Sequence, residues 1–191
     1  MKTTLFFLIL PLLTTKAQNL IENSSFDNGT KNWQFIVKNN NQDDIALEAN
    51  FKSNYERKAE RFKKHAKIEV ISIGKTTKHS NVILQQKVEG LKKNKRYNFS
   101  VWIRSRSRNN DKLTLNIISA PTNTGSKLPQ TTIASTELKY KCNGIWQQAN
   151  FEFETRSKNK NKLDLKNTIL QIGFGHRIGD FYIDSIEVIR N

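Results

Sequence analysis

The chain is predicted to be all-β, an antiparallel sandwich of the jelly-roll kind carrying one short surface helix near residues 53–66. Three observations lead there. Short segments with apolar residues at every second place recur along its length, as half-buried strands require. They are separated by polar turns rich in Asn, Lys, Ser and Gly, with no helices alternating between them. A chain of 191 residues that is 36% hydrophobic is ample for one cored domain and short for two.

Residues 1–17 read as a secretory signal peptide. Lys2 supplies the positive start, residues 5–13 the apolar run, and Thr15-Lys16-Ala17 a small-residue cleavage site. The run is too short to span a bilayer, and no stop-transfer segment follows. No cysteine follows the cleavage site to accept a lipid, so a secreted or periplasmic protein is expected, with residues 18–191 as its single domain.

Strands are expected at 33–38, 45–51, 68–73, 82–88, 97–106, 113–119, 132–138, 146–154, 168–174 and 181–189. Leu113, Leu115 and Ile117 face one way, as do Phe151 and Phe153 against Glu152 and Glu154. Tyr97, Phe99, Val101 and Ile103 form a core-facing row, and Asn98, Ser100, Trp102, Arg104 and Arg106 the opposite one. One stretch breaks the period of two. Tyr55, Ala59, Phe62 and Ala66 recur at helical steps, and Glu60 precedes Lys64 by four, which predicts the surface helix.

Cys142 is the sole cysteine, so no internal disulfide and no multi-cysteine zinc site can form. His65, His79 and His176 have no metal-pair spacing. The glycines at 173, 175 and 179 miss nucleotide-loop spacing and precede a strand, offering no helix N-terminus to a phosphate. No catalytic constellation is assembled, although catalytic groups can converge in space without a motif.

Charge is the unusual feature. The formal net charge is +15, and removing Lys2 and Lys16 with the leader lowers it by two, to +13. The excess clusters at 57–67, 92–108 and 156–162, a field that draws in anionic partners in a salt-dependent way. Trp102 beside alternating arginines suits a ligand with both a flat apolar surface and negative charge. The competing reading is that a loop covers Trp102 and the arginines are merely solvated.

The mature chain opens Asn19-Leu20-Ile21-Glu22-Asn23-Ser24-Ser25-Phe26-Asp27-Asn28-Gly29, then Trp33, and closes Phe181-Tyr182-Ile183-Asp184-Ser185-Ile186-Glu187-Val188. Between them stand Leu84-Gln85-Gln86-Lys87-Val88, Leu91, Tyr97-Asn98-Phe99-Ser100-Val101-Trp102 and Ile145-Trp146-Gln147-Gln148. In this order they resemble carbohydrate-binding modules of the family 4/9 type, in the galactose-binding-domain-like jelly-roll superfamily. The resemblance implies a two-sheet sandwich that binds sugar chains. It also implies a structural calcium where the chain ends meet, held by Ser25 through its carbonyl and Asp184 through its carboxylate. The pattern departs from the family at Ser24, at Ser185 and at Lys64-His65-Ala66, and the basic neighbours oppose a cation.

The expectation is therefore an exported, non-catalytic, monomeric module for an acidic (uronate or sulfated) polysaccharide rather than nucleic acid. Trp102 would stack on sugar, Arg104 and Arg106 would pair with carboxylate or sulfate, and Asn98, Gln86 and Gln171 would bond hydroxyls. Two alternatives remain: a small polysaccharide lyase or hydrolase drawing on Tyr140, His176 and Arg177, or a surface adhesin for anionic envelope polymers.

Overall fold

The computed structural model describes residues 18–38, 47–59, 61–74, 78, 81–106, 111–119, 131–156, 165–174 and 177–191. Ten strands run β1 (Gln34–Val37), β2 (Glu48–Tyr55), β3 (Lys64–Ser72), β4 (Val82–Val88), β5 (Arg96–Ser105), β6 (Asp111–Ser119), β7 (Thr131–Tyr140), β8 (Gln147–Glu154), β9 (Thr168–Gly173) and β10 (Gly179–Arg190). They form two antiparallel five-stranded sheets. Sheet A has the order β1-β4-β9-β6-β7 and sheet B the order β2-β3-β10-β5-β8. Among the described residues, no helix is long and apolar enough to cross a membrane.

The core lies between the sheets, where Leu84, Leu115 and Leu170 of sheet A meet Phe99, Ile103 and Phe181 of sheet B, all fully buried. Each such side chain contributes roughly 1.5–3 kcal/mol by leaving water. Tyr97, Phe99, Val101 and Ile103 are buried as their alternation predicts, and Trp102 lies on the outer face of sheet B.

Strand β10 shows how the pattern is kept. Phe181 and Ile183 point inward, and strict alternation would next bury Ser185 and Glu187. A bulge between Asp184 and Glu187, with Ser185 at φ 45°, adds one residue and resets the parity. Ile186 and Val188 are thereby buried instead.

The expected helix near 53–66 is not formed. Residues 53–55 end β2, residues 64–66 begin β3, and the pairs Ser53↔Ala66, Asn54↔His65 and Tyr55↔Lys64 make a hairpin. The four residues at helical spacing share no face, since Tyr55 is 62% exposed and Ala66 is fully buried. A short helix with a thin apolar stripe is marginal in water, whereas the hairpin buries Ala66 and His65 and extends a sheet.

The chain ends meet on sheet B. The Leu20 amide donates to the Val188 carbonyl (3.0 Å), and the Ile186 amide to the Ser24 carbonyl (3.1 Å). Asn23 organises the opening loop, accepting from the Asn28 amide and donating to the Gly29 and Lys31 carbonyls. Phe26 stacks on Trp33 at 5.5 Å, and the Trp33 indole donates to the Asn23 carbonyl. The N-terminal Asn, Phe and Trp thus close one end of the sandwich.

Candidate glycan-binding faces

The expected binding residues do not converge on one face. Trp102, Arg104 and Asn98 lie on the outer side of sheet B, and Gln171 lies on the outer side of sheet A. Gln86 is buried and pins the N-terminal segment. It accepts from the Glu22 amide (2.8 Å) and donates to the Glu22 and Asn32 carbonyls. These hydrogen bonds hold the opening segment to β4, and Gln86 also lines a depression there together with Glu22 and Asn32. Arg106 is exposed just beyond β5, beside Gly144.

On sheet B, Trp102 is not an open platform. The Phe62 ring lies 5.2 Å from Trp102 and 4.7 Å from Trp146, and the Arg61 guanidinium sits 5.4 Å above the indole of Trp102. Arg104 is held between Trp146 (5.0 Å) and Tyr182 (4.5 Å), with its terminal nitrogen 2.9 Å from the Glu56 carboxylate. Its side chain is only 13% exposed, and its Nε is buried without an acceptor. Arg104 is therefore already neutralised within the fold. The covering turn between β2 and β3 is the feature that sequence periodicity mistook for a helix.

The same cluster bears on elimination chemistry. His65 is fully buried between Trp146 and Tyr182, and its Nδ1 donates to the Phe62 carbonyl (2.8 Å) while its Nε2 accepts from Asn54 (2.9 Å). Burial holds its pKa below the ordinary histidine value. The Tyr182 hydroxyl bonds Asp180, and burial pushes its pKa up, away from what a base requires. Tyr140 is on β7 in the other sheet, Arg177 lies between β9 and β10, and His176 falls outside the described residues.

Sheet A presents the opposite arrangement. Its outer face carries Gln34, Gln85, Gln171, Asn116 and Ser135 in register, one from each of the five strands. Gln171 donates to Gln85 (2.9 Å), Gln85 to Gln34 (3.0 Å), and Ser135 to Asn116 (2.6 Å). These bonds fix the rotamers while leaving each amide donor or acceptor capacity to spare. Ile36 and Ile83 flank the row on one side, and Ile169 and Ile118 on the other. A depression of about 430 Å³ at one end is lined by Gln34, Gln85, Lys87, Glu89, Asn167 and Ile169. Ile83 and Ile118 are buried, whereas Ile36 and Ile169 are half-buried, so a row of fixed amides beside these two can bond hydroxyls along a chain while they cover apolar ring surface.

Where the chain ends meet, Ser25, Asp27, Lys64, Asp184 and Ser185 line a common depression. Asp184 is 2% exposed, accepts from the Ser185 amide, and is pushed up to about 7 by burial, with the Asp27 carboxylate adding repulsion. The Ser25 hydroxyl donates to Asp27, and the Lys64 ammonium donates to the Asp27 carbonyl (3.0 Å). These are hard oxygen donors of the kind calcium takes, and the buried Asp184 carboxylate makes no ion pair among the described residues. The lysine competes for the same oxygens. Among the described residues, no group of three or more His, Cys, Asp or Glu side chains is placed to hold a metal.

The family model for a carbohydrate binding domain of the 4/9 type matches residues 18–168. The chain belongs to this family. Its fold is similar to a family 4 module at TM-score 0.65 and 15% identity, covering 90% of this chain and 99% of that one. It is also similar to a candidate sugar binding protein from Bacteroides thetaiotaomicron at TM-score 0.70 and 16% identity, covering 91% and 100%. A family 11 module from Clostridium thermocellum, in complex with a mixed-linked β-1,3-1,4 tetrasaccharide, aligns at TM-score 0.56 and 12% identity, covering 92% and 97%. No curated protein sequence matches it. The chain is thus a carbohydrate-binding module on a β-sandwich of jelly-roll type, as the end motifs and alternating strands implied.

Proposed function

We propose that this module binds a polysaccharide laid across the outer face of sheet A, and that it favours acidic chains. The in-register row Gln34, Gln85, Gln171, Asn116 and Ser135 carries the reading. It spans the full width of the sheet, keeps unspent hydrogen-bonding capacity, and has the half-buried Ile36 and Ile169 beside it. The acidic preference is supported by the charge of +15 in the full chain. That field acts at long range and is screened by salt. Export is supported by the leader-like first 17 residues. Ser25, Asp27 and Asp184 would hold the structural calcium, which would set a positive charge against the buried Asp184 carboxylate.

The test is affinity for glycans that an array identifies. Gln85→Ala and Gln171→Ala should each weaken binding by about 0.5–1.5 kcal/mol, the usual net worth of a hydrogen bond, with the melting temperature nearly unchanged. Full affinity in the double variant would overturn the assignment of the face.

A further inference from the structure

The turn between β2 and β3 covers Trp102 and carries a cluster of exposed basic side chains. One hydrogen bond closes it, and three contacts pin it to sheet B. The Glu56 amide donates to the Lys63 carbonyl (2.8 Å), closing the turn, and the Glu56 carboxylate pairs with Arg104. Phe62, at φ 55°, inserts its ring between Trp102 and Trp146, and its carbonyl accepts from buried His65. All of these anchors face inward. They use Glu56 and leave Arg57, Lys58, Arg61 and Lys63 exposed, Lys63 also lining the depression that holds Asp27 and Asp184. The turn's other acid, Glu60, lies outside the described residues.

Arg61 is the distinctive member. Its guanidinium carbon lies 5.3 Å from the centre of the Phe62 ring and 5.4 Å from that of Trp102, within cation–π distance of both. Two rings at cation–π distance restrict an otherwise exposed side chain, and its N–H groups remain available to take a carboxylate or sulfate bidentately. An ordinary surface arginine loses more rotamer freedom on binding. Trp102 accordingly backs an arginine instead of stacking on sugar.

We propose that the β2–β3 turn is an anion-recognition site for the carboxylate or sulfate groups of an acidic polysaccharide, with Arg61 as its directional contact and Arg57, Lys58 and Lys63 supplying the surrounding positive field. It is distinct from the amide row and rests on the polysaccharide reading above. It lies over sheet B, on the opposite face of the sandwich from the amide row, so it would hold a separate stretch of an acidic chain, a role that Arg104, paired with Glu56, is not free to take.

The experiment compares binding of a polyuronate with binding of the same polymer after reduction of its carboxyls, at low and high salt. Arg61→Ala should lower polyuronate affinity about tenfold or more, as loss of a charge-assisted bond requires, and leave the neutral polymer unaffected. Arg61→Lys, which keeps charge but loses the fork, should recover only part of the loss. Replacing Arg57, Lys58 and Lys63 together by serine should reduce the salt dependence. An unchanged ratio of acidic to neutral affinity in Arg61→Ala overturns the proposal, as does an equal loss for both polymers. Arg61-dependent binding of duplex DNA as tight as that of the polyuronate would overturn the polysaccharide assignment. Failure of the sheet A reading is seen separately, as neutral-polymer affinity that ignores Gln85→Ala and Gln171→Ala.

Discussion

Asp184 makes the stability of this fold depend on pH in an unusual direction. Its carboxyl is buried and makes no ion pair among the described residues, so burial raises its pKa from 3.8 to about 7 on folding. Between those values the folded state holds a proton that the unfolded chain has released. Stability is therefore highest at low pH and falls as pH rises through 7. At 1.36 kcal/mol per pH unit, the contribution lost between pH 4 and pH 8 is about 4 kcal/mol. His65 acts in the opposite sense. Its pKa is lowered on folding, so the stability it contributes is present above its unfolded value and lost as pH falls through the folded one. The two effects separate by substitution. In the presence of chelator, urea midpoints should be measured across this range for the wild type and for Asp184→Asn, which keeps an acceptor for the Ser185 amide but cannot ionise. The variant should lose the downward trend with pH, and the difference between the two should approach 4 kcal/mol at the alkaline end. Parallel curves would refute the reasoning, because they would mean that Asp184 titrates normally in the fold.

If calcium fills the depression beside Asp184, adding it should raise the melting temperature at neutral pH and flatten that pH trend, and Asp184→Ala should abolish the response to chelator. Phe62→Ala uncovers Trp102 and Trp146 and should cost about 2 kcal/mol in denaturant unfolding, with affinity for neutral glycans unchanged. Gln86→Ala strands the Glu22 amide and the Glu22 and Asn32 carbonyls, so it should cost about 2 kcal/mol of stability without touching glycan affinity.

The sandwich was legible because alternation is a local signal. Each strand's buried row, from Tyr97 to Ile103 or Leu113 to Ile117, can be read within ten residues. The β2–β3 region was misread because Tyr55, Ala59, Phe62 and Ala66 keep helical spacing by coincidence, while the left-handed Phe62 needed to turn the chain leaves no mark in composition. Trp102 was placed on the correct face, but its cover came from residues forty positions earlier. Gln171 was singled out without its partners, since the row it belongs to exists only through cross-strand register. The available signal was an amide at an outward position of β4, β6 and β9 alike: Gln85, Asn116 and Gln171.

The central claim is that sugar lies on the amide row of sheet A. Its most direct test is to titrate an oligosaccharide identified by array into isotopically labelled protein and follow the side-chain amide resonances of Gln34, Gln85, Asn116 and Gln171. These should shift together and saturate with one dissociation constant, while the indole resonance of Trp146 stays in place. Shifts confined to Trp146 and Trp102, with the four amides unmoved, would contradict it.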